Sequence, residues 1–281
     1  MAIRIVTDST CDLPSSVVAD HSITVVPLYI NMGDQSYLDG VEITREEFYE
    51  RLPNYNPPPT TSAPGTGAFV KAYEDLAAQG ADHILSIHIS AKLSNVVNVA
   101  RMAAEATEAV PITVIDSGQL TIGTGILALD AAKAAEEGHS VAEIIQMIEN
   151  KKPHIYTVAA LDTLEFLKRS GRLSQFQAMM GTFLKIKPIL IMSNDVVGME
   201  RVRTRQKAVD WLIDYLEKIL PVEQLVLVHT HAPEAIAKFY ERVRPYLPTD
   251  KKPLDVDVTP VLGAHIGPGV VGFTCVAAAR P

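Results

Sequence analysis

Cysteine is nearly missing from this chain of 281 residues: the two present, Cys11 and Cys275, stand near opposite ends. Neither belongs to a C-x-x-C pair or to a Cys/His zinc spacing, which removes a structural zinc site and points to a reducing cytoplasm as the setting. Positive charge is also short. With 25 Lys and Arg against 33 Asp and Glu, the formal net charge is -8, so non-specific phosphate binding is repelled and nucleic acid is excluded as the main partner. No apolar run approaches the length of a membrane span. The opening Met1 to Asp8 reads as the entry to a strand rather than as a secretory signal. There is no Walker loop, no G-x-S-x-G elbow and no H-E-x-x-H. Charged residues, at 21%, are slightly sparse and hydrophobic residues reach 47%, which leaves room for an apolar cavity as well as a core.

What is present is an alternation. Short β-branched runs, at Ile3 to Val6, Ile23 to Ile30, His83 to Ile89, Ile112 to Ile115, His154 to Val158, Pro188 to Ile191, Leu225 to Val228 and Val270 to Val276, are separated by longer helical patterns. That order predicts an α/β fold with mainly parallel or mixed sheets. Helices are expected over Gly67 to Gln79, Ser94 to Glu108, Gly125 to Glu137, Asp162 to Lys168 and Arg205 to Leu220. A further helix over Val141 to Asn150 has Ser140 and Glu143 in capping-box positions. The length exceeds one ordinary domain. The polar, proline-terminated stretch Glu149 to His154 places a boundary between two α/β domains, 1–152 and 153–281. Asp255 to Ala279 reads as two strands hinged at His265 to Gly269.

Hydroxyls and glycines gather where a ligand would sit. Thr61 and Ser62 follow the extended Pro-rich run Asn54 to Pro59 and precede a helix opening at Gly67. They suit either a helix cap or an anion site. Ser94 lies where the strand ending near Ile89 hands over to a helix, the strand end at which α/β sheets bind ligands, and a cap serves as well there. Gly263 to Gly269 wraps His265 in three glycines and a proline, leaving an imidazole able to donate to a carboxylate and able to become cationic if its pocket favours that.

Arg201, Arg203 and Arg205 alternate, so on an extended segment they would share a face, and Arg172 stands apart. Each is a candidate anion anchor or docking residue, against the alternative of solvated surface charge. Gly123 to Ala128 fits G-x-G-x-x-A, but lies too far past its strand and lacks the following acid, so no cofactor is expected. His229 and His231 lack a third metal ligand at a recognisable spacing, so no metal is expected.

In order, Val6 to Leu13, Thr61 to Pro64, Ile89 to Ser94, Asp116-Ser117, Leu167 to Arg172, Val202 to Thr204 and His265 to Gly269 resemble the DegV family, which includes the fatty-acid-binding subunits of bacterial fatty acid kinase. The resemblance spans nearly the whole chain. It implies two α/β domains with a ligand tunnel between them. One long-chain fatty acid would be buried there, its carboxylate held by Thr61 or Ser62, Ser94 and His265. It also implies that the protein is not itself an enzyme, and that it presents the carboxylate to a separate ATP-dependent kinase forming an acyl phosphate for phospholipid synthesis. Arg172 and Arg203 would order the site or meet that kinase. Asn95 to Asn98 stands where the family typically has Gly-Thr-Tyr-Gln, Ala63 where a Gln is usual and Ser170 where a Gly is common. These departures bear on pocket shape and acyl preference. Two rival functions remain open: a hydrolase or acyl transferase using Ser94 or Ser62 with His265, and a nucleotide-binding regulator using the glycine loops.

Overall fold

The computed structural model describes residues 1–173, 186–247 and 253–278; Ala279, the expected end of the last strand, lies outside them. In chain order the elements begin with β1 (Ile3–Asp8), α1 (Ser15–Asp20), β2 (Thr24–Val26), β3 (Tyr29–Met32), β4 (Gln35–Leu38), α2 (Arg45–Arg51) and β5 (Thr60–Ser62). They continue with α3 (Thr66–Ala78), β6 (His83–His88), α4 (Val96–Ala106), β7 (Ile112–Asp116), α5 (Ile122–Glu136), α6 (Val141–Lys151) and β8 (Ile155–Ala160). The remainder is α7 (Glu165–Arg169), β9 (Lys187–Ser193), β10 (Val196–Val202), α8 (Arg205–Ile219), β11 (Val222–His229), α9 (Pro233–Val243), β12 (Asp255–Asp257), α10 (Pro260–Ile266) and β13 (Val271–Ala277).

The chain divides into two compact units, one of residues 1–29 and 62–153, the other of residues 30–61 and 154–281. The crossing at Pro153 adjoins the expected boundary at 152/153, but residues 30–61, expected in the first half, group with the second. Their own residues explain this. The segment carries a three-stranded sheet, β4-β3-β5, and helix α2, which packs against α10. Tyr49 of α2 is buried and donates its hydroxyl to the Val258 carbonyl at 2.8 Å.

The first unit holds a four-stranded sheet, β2-β1-β6-β7, parallel throughout. β1 and β6 are buried along nearly their whole length, as strands covered on both faces must be. Helix α3 packs with α4, while α5 packs on β1 and β6 and with α6. α6 begins at the expected capping box, with Ser140 and Glu143 satisfying each other's backbone N–H groups. The G-x-G-x-x-A stretch lies inside the buried helix α5, and a side chain at Gly125 would strike the Cys11 carbonyl. Packing accounts for that glycine.

The second unit carries the mixed sheet that the expectation of mainly parallel or mixed sheets includes. Its larger sheet has six strands in the order β10-β9-β8-β13-β11-β12, of which only the β11/β12 pair is parallel. The sheets are therefore parallel in one unit and mixed in the other. Strand β10, not expected from the sequence, returns from β9 through Asn194-Asp195, both at positive φ. Two such residues make the tight turn that suits the twist of a hairpin. Leu212, Leu216, Phe239 and Val243 of α8 and α9 bury against Leu227 and Phe273 of the sheet. Among the described residues no helix is long and apolar enough to cross a membrane.

Candidate functional site

Within the second unit the structure joins two of the expected residues. Thr61 Oγ1 on β5 lies 2.9 Å from His265 Nε2. His265 sits in the last turn of α10, not in a hinge between strands, and Gly267 ends that helix at φ +77°, where a residue with a Cβ is strained. The glycines around it serve close packing as well as bending. A side chain at Gly263 would collide with the Tyr49 ring, and one at Gly267 with the Phe166 ring. The short helix is thus held between two aromatic side chains. Thr230 fastens the loop beyond it: its hydroxyl donates to the Gly267 carbonyl at 2.7 Å and accepts from the Val270 N–H at 2.9 Å. Sequence reading passed over Thr230, whose only signal was its place between His229 and His231.

Burial, aided by the positive charge of Arg172, pushes the His265 pKa down to about 4. The ring is therefore neutral at pH 7 rather than cationic. Its Nδ1 is buried and has no hydrogen-bond partner among the described residues. A neutral imidazole has one donor and one acceptor nitrogen. If Nδ1 carries the proton, it is a buried donor awaiting an acceptor, and Nε2 accepts from Thr61. In the other tautomer Nε2 donates to Thr61, whose own O–H is then available. Either way the pair keeps one proton to offer an incoming carboxylate, and Arg172 adds positive potential.

The remaining expected residues are placed as follows. Ser62 is exposed and Ser94 half-buried; neither caps a helix, since Gly65 and Asn95 occupy the cap positions of α3 and α4 without side-chain cap bonds. Arg203 is exposed in the turn between β10 and α8, and Arg172 is half-buried. The three alternating arginines do not lie on one extended face, because β10 ends at Val202 and α8 starts at Arg205. Arg205 instead donates to the Gly269 carbonyl at 2.7 Å and pairs with Asp162 at 3.4 Å, a structural duty beside the His265 loop. His229 Nδ1 accepts from the Ala232 N–H at the start of α9, 3.2 Å away. His231 stacks on Tyr49 with centroids 5.9 Å apart. Among the described residues no group of three metal-ligating side chains forms.

An Asp-His-Ser constellation does exist, though its histidine and serine are not His265, Ser94 or Ser62. In the first unit Asp8 Oδ2 lies 2.9 Å from His88 Nδ1, and His88 Nε2 lies 2.7 Å from Ser86 Oγ. Ser86 Oγ is in turn 2.8 Å from Tyr73 Oη. All four residues are wholly buried, so Ser86 has no face on which a substrate could be attacked. The chain ties β1, β6 and α3 together. Burial works against the Asp8 charge, but His88, Thr10 and the Ile89 N–H outweigh it and hold the carboxyl below its ordinary range. No carboxylate, by contrast, figures among the influences on His265, whose pKa answers to burial and Arg172.

The DegV family model, described as "Uncharacterised protein, DegV family", matches residues 2–278. Protein DegV of Bacillus subtilis is 34% identical over 279 residues, covering 97% of this chain and 98% of that protein. A solved Thermus thermophilus DegV family protein, described by its fatty acid binding, superposes with a TM-score of 0.90 at 32% identity, covering 99% of this chain and 100% of that one. A stearic-acid-binding protein from Eubacterium ventriosum gives a TM-score of 0.88 at 25% identity, covering 99% of this chain and 98% of that one. With the family's profile running from residue 2 to residue 278 and a shared α/β fold, the chain belongs to the DegV family.

Proposed function

We propose that this protein binds one long-chain fatty acid and holds its carboxylate at the Thr61–His265 pair. The observation that carries the reading is the 2.9 Å Thr61–His265 contact beside a buried Nδ1 that lacks a partner among the described residues. A carboxylate supplies the missing acceptor. The relatives from Thermus thermophilus and Eubacterium ventriosum, described as binding fatty acid and stearic acid, support the ligand class. Burial of an acyl chain contributes about 0.8 kcal/mol per CH₂, whereas a hydrogen bond to a charged group contributes ~1.5–3 kcal/mol. The tail therefore sets affinity and the head sets orientation.

Mass spectrometry of an organic extract from the purified protein tests this. Stoichiometric fatty acid is expected, with retention reduced in Thr61→Ala and His265→Ala. Absence of lipid together with ester hydrolysis dependent on Ser94 would overturn it in favour of an acyl-transfer enzyme. The protein acts, in this reading, as a carrier rather than a catalyst. It offers the carboxylate to a separate kinase in the cytoplasm, where ATP is at hand. Exposed Arg203 and half-buried Arg172 are the proposed contacts. With such a kinase and ATP, hydroxylamine traps acyl phosphate; Arg203→Ala should lower that yield while leaving bound lipid unchanged.

A further inference from the structure

A groove in the first unit lies apart from every residue discussed for the carboxylate. Strand β2 is an edge of the parallel sheet, and α3 packs against it. Together with Arg4 of β1 they line a depression of about 460 Å³, within the size range of small-molecule sites, roughly 300–1,000 Å³. Its wall is part apolar, from Val25, Ala72 and Leu76, and part polar, from Arg4, Thr24 and Lys71.

Charge is distributed unevenly there. Asp75, the acidic residue lining the groove, is taken by Lys71 at 2.6 Å. Arg4 is half-buried, and its Nε is buried with no hydrogen-bond partner among the described residues. A guanidinium presents a planar fork matched to carboxylate and phosphate oxygens, and a buried polar atom left unsatisfied calls for an explanation such as a missing water or ion. In a chain with 33 acidic residues against 25 basic, a half-buried arginine with no carboxylate partner among the described residues is conspicuous. We infer that this groove binds a small anion, a carboxylate or phosphate carried on a short apolar body, with Arg4 gripping the anionic head and Val25, Ala72 and Leu76 flanking the body. The site is independent of the fatty-acid reading, since Thr61, Ser62, Ser94 and His265 take no part in lining it.

The test is an amide NMR titration of the full chain with three probes of like body: phenyl phosphate, benzoate and uncharged benzyl alcohol. Saturable shifts are expected at residues 24–26 and 68–79 for at least one anion, with benzyl alcohol and Arg4→Gln each weaker by at least about tenfold. The preferred anion identifies the head group. Ala72→Leu, which fills the groove without touching the charge, should abolish the same shifts and replaces Arg4→Gln if that variant does not fold. Preloading with stearate should leave the shifts intact. Lack of saturation, equal response to the neutral probe, indifference to both substitutions, or displacement by stearate would each overturn the proposal. The last outcome would place the probes in the fatty-acid site instead.

Discussion

His88 and His265 are each hydrogen-bonded through Nε2 to a hydroxyl, Ser86 at 2.7 Å in one unit and Thr61 at 2.9 Å in the other. They differ at the second nitrogen. His88 Nδ1 meets Asp8 at 2.9 Å, whereas His265 Nδ1 meets nothing among the described residues. The first imidazole is saturated by the fold itself and is sealed from solvent. The second has a ring nitrogen left without a partner among the described residues. In the proposed reading, two histidines with the same neighbour type thus separate into a structural brace and a ligand-binding group by one missing carboxylate.

The contrast is open to attack by substitution, beginning with the largest effect. Asp8→Ala strips the buried His88 of its counter-group and should cost about 3–5 kcal/mol of folding stability, read by urea denaturation; a variant as stable as the parent would erase the distinction. His265→Ala should act oppositely, leaving stability nearly unchanged while weakening fatty acid binding by ~1.5–3 kcal/mol, or roughly tenfold to a hundredfold. Retention of lipid after delipidation and reloading measures it.

Titration gives a third test. His265 in the fold titrates at about 4 against 6.5 for a free histidine, so the unfolded chain takes up its proton first. The stability contributed by keeping this ring neutral is complete above pH 6.5 and drains as pH falls toward 4, on the order of 1–2 kcal/mol by about pH 5. Substituting His265 by Gln should flatten that stretch of the stability profile. Asp8 has the other sign. Its carboxyl is held below the ordinary 3.8, so its contribution persists through that window and is lost only at more acid pH. Smallest of all, Thr61→Val and Ser94→Ala should each lower lipid retention by the worth of one neutral hydrogen bond, about 1 kcal/mol. A Thr61→Val variant that retains lipid like the parent would shift the hydroxyl role to Ser62.

Much of the fold was readable because its signals are local. The Ser140–Glu143 box marked the start of α6, and the β-branched runs marked all four strands of the parallel sheet. Ile23 to Ile30 read as one strand because nothing local announces that β2 and β3 join different sheets; that is decided by partners distant in sequence. β10 escaped notice because Val196 to Val202 is interrupted by Gly198 and charged at Glu200 and Arg201, a weak alternation stabilised by its hairpin partner β9. The glycines around His265 marked that imidazole as a candidate for an incomplete reason, since their clearance against Tyr49 and Phe166 is invisible without coordinates. Likewise the Asp8–His88–Ser86 chain joins residues 80 positions apart, a pairing that no spacing rule reports.

Thr61 and His265 are separated by 204 positions, which has a consequence for synthesis. Until residue 265 of 281 has been added, Thr61 lacks this imidazole, and a nascent or truncated chain ending before α10 lacks the pair altogether. In the proposed reading, ligand capture at the pair would act only on completed chains, because a ligand that binds only the native state adds to that state's stability.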